Sequence, residues 1–89
     1  MRIEDERLRY KVIIDDLADL RKHAGELPPE YSDTDYDEIV RVMCDWCEHQ
    51  FGKKKVKWNY WLDSAYDPPE DNFSFQEEHH RTLFILRWS

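Results

Sequence analysis

The chain has 89 residues and a mass of 11.0 kDa, room for one small domain with a core built from few side chains. With 40% hydrophobic and 15% aromatic residues it is too apolar for a disordered tail, yet its longest apolar run, Leu83-Phe84-Ile85-Leu86, is too short for a transmembrane helix. Twenty acidic against 13 basic residues give a net charge of −7, a poor balance for gripping a phosphate backbone, and MRIEDERLRY lacks the apolar core of a signal peptide, so a cytoplasmic location is expected.

In chain order, residues 3–24 are expected to form the first helix. At helical spacing Ile3, Tyr10, Ile13, Ile14, Leu17, Leu20 and Ala24 share a face, and Asp5 with Arg9 makes a favourable i,i+4 pair. Leu8 and Val12 fall on the opposite side. Gly25 and the Pro28-Pro29 pair close the segment.

A second helix is expected over 34–51, capped by Ser32, Asp33 or Thr34. Tyr36, Ile39, Val40, Met43, Trp46, Cys47 and Phe51 share its apolar face. Asp37, Glu38, Asp45 and Glu48 take the outer face, with Arg41 in their midst. Gly52 ends it.

Beyond Gly52 the period changes to two. Val56, Trp58, Tyr60 and Leu62 alternate with Lys55, Lys57, Asn59 and Trp61, which predicts a strand. The stretch Asp67–Asn72, with Pro68-Pro69, reads as a loop. Phe73 and Phe75 alternate with Ser74 and Gln76, and Thr82–Trp88 is a β-rich run, leaving Glu77–His80 as a hairpin connection. A competing pattern makes 75–87 a helix, opened by Ser74 and Glu77 as a capping box. Strands are preferred because the 55–62 strand needs partners. The expected architecture is α+β: two amino-terminal helices followed by a three-stranded antiparallel β-meander, packed as two layers in a single domain spanning 1–89.

Among motifs, Cys44-x-x-Cys47 with His49, His79 and His80 has the residue types of a zinc or redox centre. On a continuous helix the two cysteines lie about 60° apart, but His49 points about 200° from Cys47, so the donors do not converge. Cys47 also sits on the apolar face, where a reduced thiol packs as a small hydrophobe. Structural thiols are therefore expected, with a metal- or redox-associated domain using Cys44, Cys47 and a histidine as the alternative. Asp33, Asp35 and Asp37 are spaced like the start of a calcium loop, but its sixth and twelfth positions would hold Glu38 and Cys44. His79 and His80 beside Glu77 and Glu78 could serve acid–base chemistry, making a minor enzyme the other alternative. A solvated hairpin tip, however, does not tune a catalytic pKa. No catalytic residue, cofactor or metal is expected.

Charge is the stronger signal. Residues 26–50 hold eight acids against Arg41 alone, and residues 51–60 hold only Lys53, Lys54, Lys55 and Lys57 as charged groups. The lysines read as a solvated approach to a strand that guards an edge, not as a nucleic-acid contact. The acidic block reads as a surface that steers a basic partner. Trp61, displayed beside Lys57 and Asn59, is a candidate aromatic anchor. The expectation is a non-enzymatic acidic protein-binding module, with Asp37, Glu38, Asp45, Glu48 and Trp61 as its contact residues. Its partner would be a larger protein with a basic surface, with no direct nucleic-acid and no membrane contact. In size, acidity and aromatic content the chain is similar to phage and mobile-element accessory proteins, including inhibitors that occupy basic nucleic-acid clefts.

Overall fold

Residues 1–7, 9–32, 35–67 and 69–89 are described by a computed structural model of the chain. Its first element corrects the sequence reading. In place of a helix over 3–24, β1 (Arg2–Glu6) and β2 (Arg9–Ile14) form an antiparallel hairpin, with Arg2 opposite Ile13 and Glu6 opposite Arg9. Helical spacing discards Val12, which is fully buried. Tyr10, Val12 and Ile14 instead alternate toward the core, and the β-branched run Val12-Ile13-Ile14 suits a pleated, buried strand. Helix survives only as α1 (Leu17–Arg21), capped by Asp16, whose carboxylate accepts from the Ala18 N–H at 2.9 Å. A short 3-10 turn, Ala24–Glu26, follows.

Helix α2 (Tyr36–Phe51) buries Ile39, Val40, Met43, Cys47 and Phe51, the apolar face expected of it. Its N-cap residue is Asp35, whose carboxylate accepts from the Ser32 N–H at 2.7 Å. Ser32 is thus a donor before the helix, not its cap. Asp33 and Thr34, the other expected caps, lie outside the described residues, as do Leu8 and Pro68. Gly52 stops the helix with φ +95°, a conformation that favours glycine, and its N–H returns to the Glu48 carbonyl at 3.0 Å.

β3 (Trp58–Asp63) and β4 (Glu70–Phe75) pair antiparallel, Tyr60 opposite Phe73. The expected loop over 67–72 is thus partly strand. The chain closes with α3 (Glu78–Trp88), which overturns the strand expected at 82–88 and the hairpin tip at 77–80. Arg81, Phe84 and Trp88 fall on one helical face and are all buried. The partner that the β3–β4 pair required comes from β2, which pairs with β4 along Tyr10–Phe75 to Ile14–Asp71.

The architecture is thus α+β but differs from the expected one: four antiparallel strands in the order β1-β2-β4-β3, with strands first and helix last. Because β2 and β3 each run antiparallel to β4, they are parallel to each other, a split β-α-β arrangement. All three helices pack on one face. Leu20, Ile39, Met43, Cys47, Phe84 and Trp88 meet Val12, Ile14, Trp58, Phe73 and Phe75 in one cluster, tightened by edge-to-face contacts of Trp46 with Phe51 and Trp88. No described element covers the other face. None of the described helices is long and apolar enough to cross a membrane.

Candidate interaction surfaces

Helix α2 lies with its apolar stripe on the sheet, so its remaining stripe faces solvent. Asp37, Asp45 and Glu48 are exposed there and Glu38 is half-buried. Arg41 approaches Glu38 at 3.9 Å, a weak exposed contact. No ion pair is recorded for Asp37, Asp45 or Glu48 among the described residues. Two shallow depressions interrupt the stripe: one lined by Asp45, Glu48 and His49, the other by Tyr31, Asp35, Tyr36, Asp37 and Glu38. The second combines carboxylates with aromatic rings, the groups that take a guanidinium by ion pairing and by cation–π attraction.

Trp61 is separated from this stripe. In the register it sits opposite Asn72, which faces Ile13 of β2, on the side of the sheet away from the helices. Lys11 Nζ lies 5.3 Å from its ring centroid. The four carboxylates and the tryptophan therefore belong to opposite layers of the molecule, and one flat interface cannot contain them all.

Between the layers, Tyr60 donates its hydroxyl proton to Asp71 Oδ1 at 2.6 Å. Burial chiefly raises the pKa of both groups; the bonded Asp71 carboxylate raises that of Tyr60 further, while at Asp71 the Tyr60 hydrogen bond opposes the rise and the charge of Asp37 adds to it. Tyr60 also lines a groove between α2 and β3 with Asp37, Arg41 and Cys44. This pair escaped the sequence reading because Asp71 falls in a stretch read as loop. The period-two pattern of β4, extended backward from Phe75 and Phe73, could have found it.

The cysteines are free, Cys47 buried and Cys44 half-buried. Burial pushes the Cys44 thiol up to about 11 and Cys47 higher still, which favours the protonated thiol over the reactive thiolate near neutrality. The ligand atoms of Glu77, His79 and His80 lie within 4.8 Å of one another, and no cysteine joins them. This group occupies the first turn of α3, the positive end of the helix dipole, which opposes a cation. His80 stacks on Phe51 with ring centroids 4.3 Å apart, and burial lowers its pKa.

Comparison with protein-family models, curated proteins and solved structures finds no match to this chain.

Proposed function

We propose that the chain is a non-enzymatic protein-binding module whose α2 surface engages a basic patch on a larger protein. One observation carries this reading: the outward stripe of α2 presents Asp37, Asp45 and Glu48 with no ion pair recorded among the described residues, beside a tyrosine- and carboxylate-lined depression at its amino-terminal end. Such a stripe steers a basic partner by long-range attraction and receives arginine side chains at contact. From Asp37 to Glu48 the stripe is about 16 Å long at 1.5 Å per residue, enough for several basic side chains in a row. An inhibitor of a nucleic-acid-binding protein would use it by placing carboxylates where phosphates would otherwise lie. Trp61 faces the other way and is not part of this interface.

The test is capture of a partner from the native host on the immobilised chain, followed by affinity measurement with the purified pair. Reversing Asp45 and Glu48 to Lys leaves the fold intact, since both are exposed, and weakens the complex at least tenfold, about 1.4 kcal/mol. Added salt weakens the wild-type complex, because exposed charges are screened beyond about 8–10 Å. Normal binding by the reversed variant at low salt would remove α2 as the interface.

A further inference from the structure

The distribution of unpaired positive charge points to a second site, on the bare face of the sheet. Among the described residues, six lysine and arginine cations of this acidic chain have a recorded carboxylate partner, four of them across the fold. Arg2 meets Glu70 and Asp15, Lys11 meets Glu6 and Glu4, Arg81 meets Asp5 and Arg87 meets Glu26. No ion pair is recorded among the described residues for Arg9, Lys55 or Lys57, and these three line one half-enclosed hollow of about 220 Å³.

The other polar walls of the hollow are Asn59, Ser74 and Gln76, and no carboxylate lines it. The carboxylate nearest in register, Glu6 opposite Arg9, is held by Lys11 at 3.0 Å. Asn59 Oδ1 is buried without a hydrogen-bond partner. With its oxygen enclosed, the amide offers its NH2 group, so every polar side chain of the lining can donate a hydrogen bond. Buried unsatisfied acceptors are rare in folded proteins and call for an explanation; an amide held donor-outward for a ligand supplies one here.

The backbone shapes the opening. Lys55 has φ +72°, in the left-handed region that a lysine seldom adopts, and its N–H reaches the Trp58 carbonyl at 2.7 Å. The Gln76 N–H to Lys57 carbonyl bond, 3.1 Å, ties this turn to the end of β4. Lysines on a solvated approach to a strand have no need of a strained turn closed onto the neighbouring strand. That arrangement converges two lysines on Arg9 across the sheet.

We propose that this hollow binds the phosphoryl group of a small phosphate monoester. Three cations match its double negative charge, and charge-assisted bonds from guanidinium and ammonium together with neutral donors satisfy its three terminal oxygens. The volume falls below the range of about 300–1,000 Å³ usual for whole drug-sized ligands, so it takes the phosphoryl end while the rest of the molecule lies along the open sheet toward Trp61. The site is independent of the α2 surface, which lies on the opposite layer.

The experiment is a titration of the 15N-labelled full chain, followed by the Asn59 and Ser74 amide signals and the Asn59 side-chain NH2. The probes are inorganic phosphate, ribose 5-phosphate, adenosine 5′-monophosphate, adenosine and a short oligothymidylate. Saturable shifts at these signals with the two monoesters are expected. Adenosine should give none, and inorganic phosphate shows whether the phosphoryl group alone suffices. Lys57→Glu and, separately, Arg9→Gln should each weaken monoester binding about tenfold or more, while Lys22→Gln, at the carboxy-terminal cap of α1, leaves it unchanged. The proposal is overturned if neither monoester saturates below about 10 mM, if adenosine moves the same signals equally, or if both hollow variants bind as wild type does. Binding of the oligothymidylate without either monoester also overturns it, in favour of a nucleic-acid surface.

Discussion

The two faces of the central β2–β4 pair are buried to nearly the same depth by different means. Toward the helices, Val12, Phe73 and Phe75 are at most 1% exposed, packed against carbon from α1, α2 and α3. On the opposite side Ile13, Asn72 and Ser74 are no more than 4% exposed with no described element above them. On this face Lys11 of β2 itself reaches toward Trp61 of the flanking β3, its Nζ 5.3 Å from the ring centroid. Burial on the helix side is an interdigitated core; on the bare side it is a single layer of polar and amphipathic side chains. Deep burial of a residue is therefore no sign that its face of the sheet is closed to a partner.

That contrast is open to measurement. Truncating Phe73 to Ala leaves a cavity between sheet and helices and should cost about 3–5 kcal/mol in denaturant unfolding. Trp61→Ala should cost about 1 kcal/mol, mainly the lost cation–π contact and part of the cover over its neighbours. Equal losses for the two would mean that the bare face is a second core and not an approachable surface.

A smaller effect, with a pH signature, comes from Asp71 on the helix side. Its folded pKa lies above the unfolded value of 3.8, so in the window above that value the folded state holds more protons than the unfolded state. Stability contributed at this position therefore falls as pH rises through the folded pKa. Asp71→Asn keeps an acceptor for the Tyr60 hydroxyl and removes the desolvated charge. At pH 7 the variant should be as stable as wild type or more so, and the difference should close as pH falls below about 4. A variant clearly less stable at pH 7 would show that the ionised carboxylate is compensated.

The smallest effect belongs to the rim, where Glu26 accepts from Arg87 and stands 2.9 Å from His23. Arg87 chiefly holds the Glu26 carboxyl below its usual 4.5; burial opposes it, and His23 assists. Its contribution is present above that value and is lost as pH falls through the lowered folded value. Glu26→Gln should cost less than about 1 kcal/mol near neutrality, and nothing at a pH where the wild-type carboxyl is already protonated. Thermal unfolding of the two proteins across the acid range measures the difference.

Much of α2 was legible because every apolar residue of its inner stripe recurs at helical spacing and Gly52 can end it in a conformation other residues resist. The acidic outer stripe followed, as the complement of the buried one. The hairpin at 2–14 was not legible, because Ile13, Leu17 and Leu20 satisfy a helical period by coincidence across a real boundary at Asp15-Asp16. The final helix, a competing pattern over 75–87, was set aside because the strand at 55–62 needed partners, which β2 in fact supplies through β4. The period of the segment did not argue strongly enough for that helix. Its inner face contains Arg81, a charged residue that is 9% exposed only because Asp5 and the Tyr10 ring receive it. A periodicity count has no means of treating it as an inward position.

From sequence alone came the α+β class, a helix over 34–51 (found at Tyr36–Phe51), a strand over 55–62 (found at Trp58–Asp63), and the separation of acidic and basic segments. Those features depend on residues close together in the chain, where side-chain period and backbone preference decide. Tertiary structure decided that β2 supplies the partner for β4, which freed the carboxy-terminal segment from strand pairing and let it cover the sheet as α3. It also placed the acidic stripe and Trp61 on opposite layers, and it gathered Arg9 with Lys55 and Lys57, more than forty positions away in the chain, around one hollow. These outcomes depend on strand order, which follows from burying the faces of distant segments together, and no local pattern carries that information.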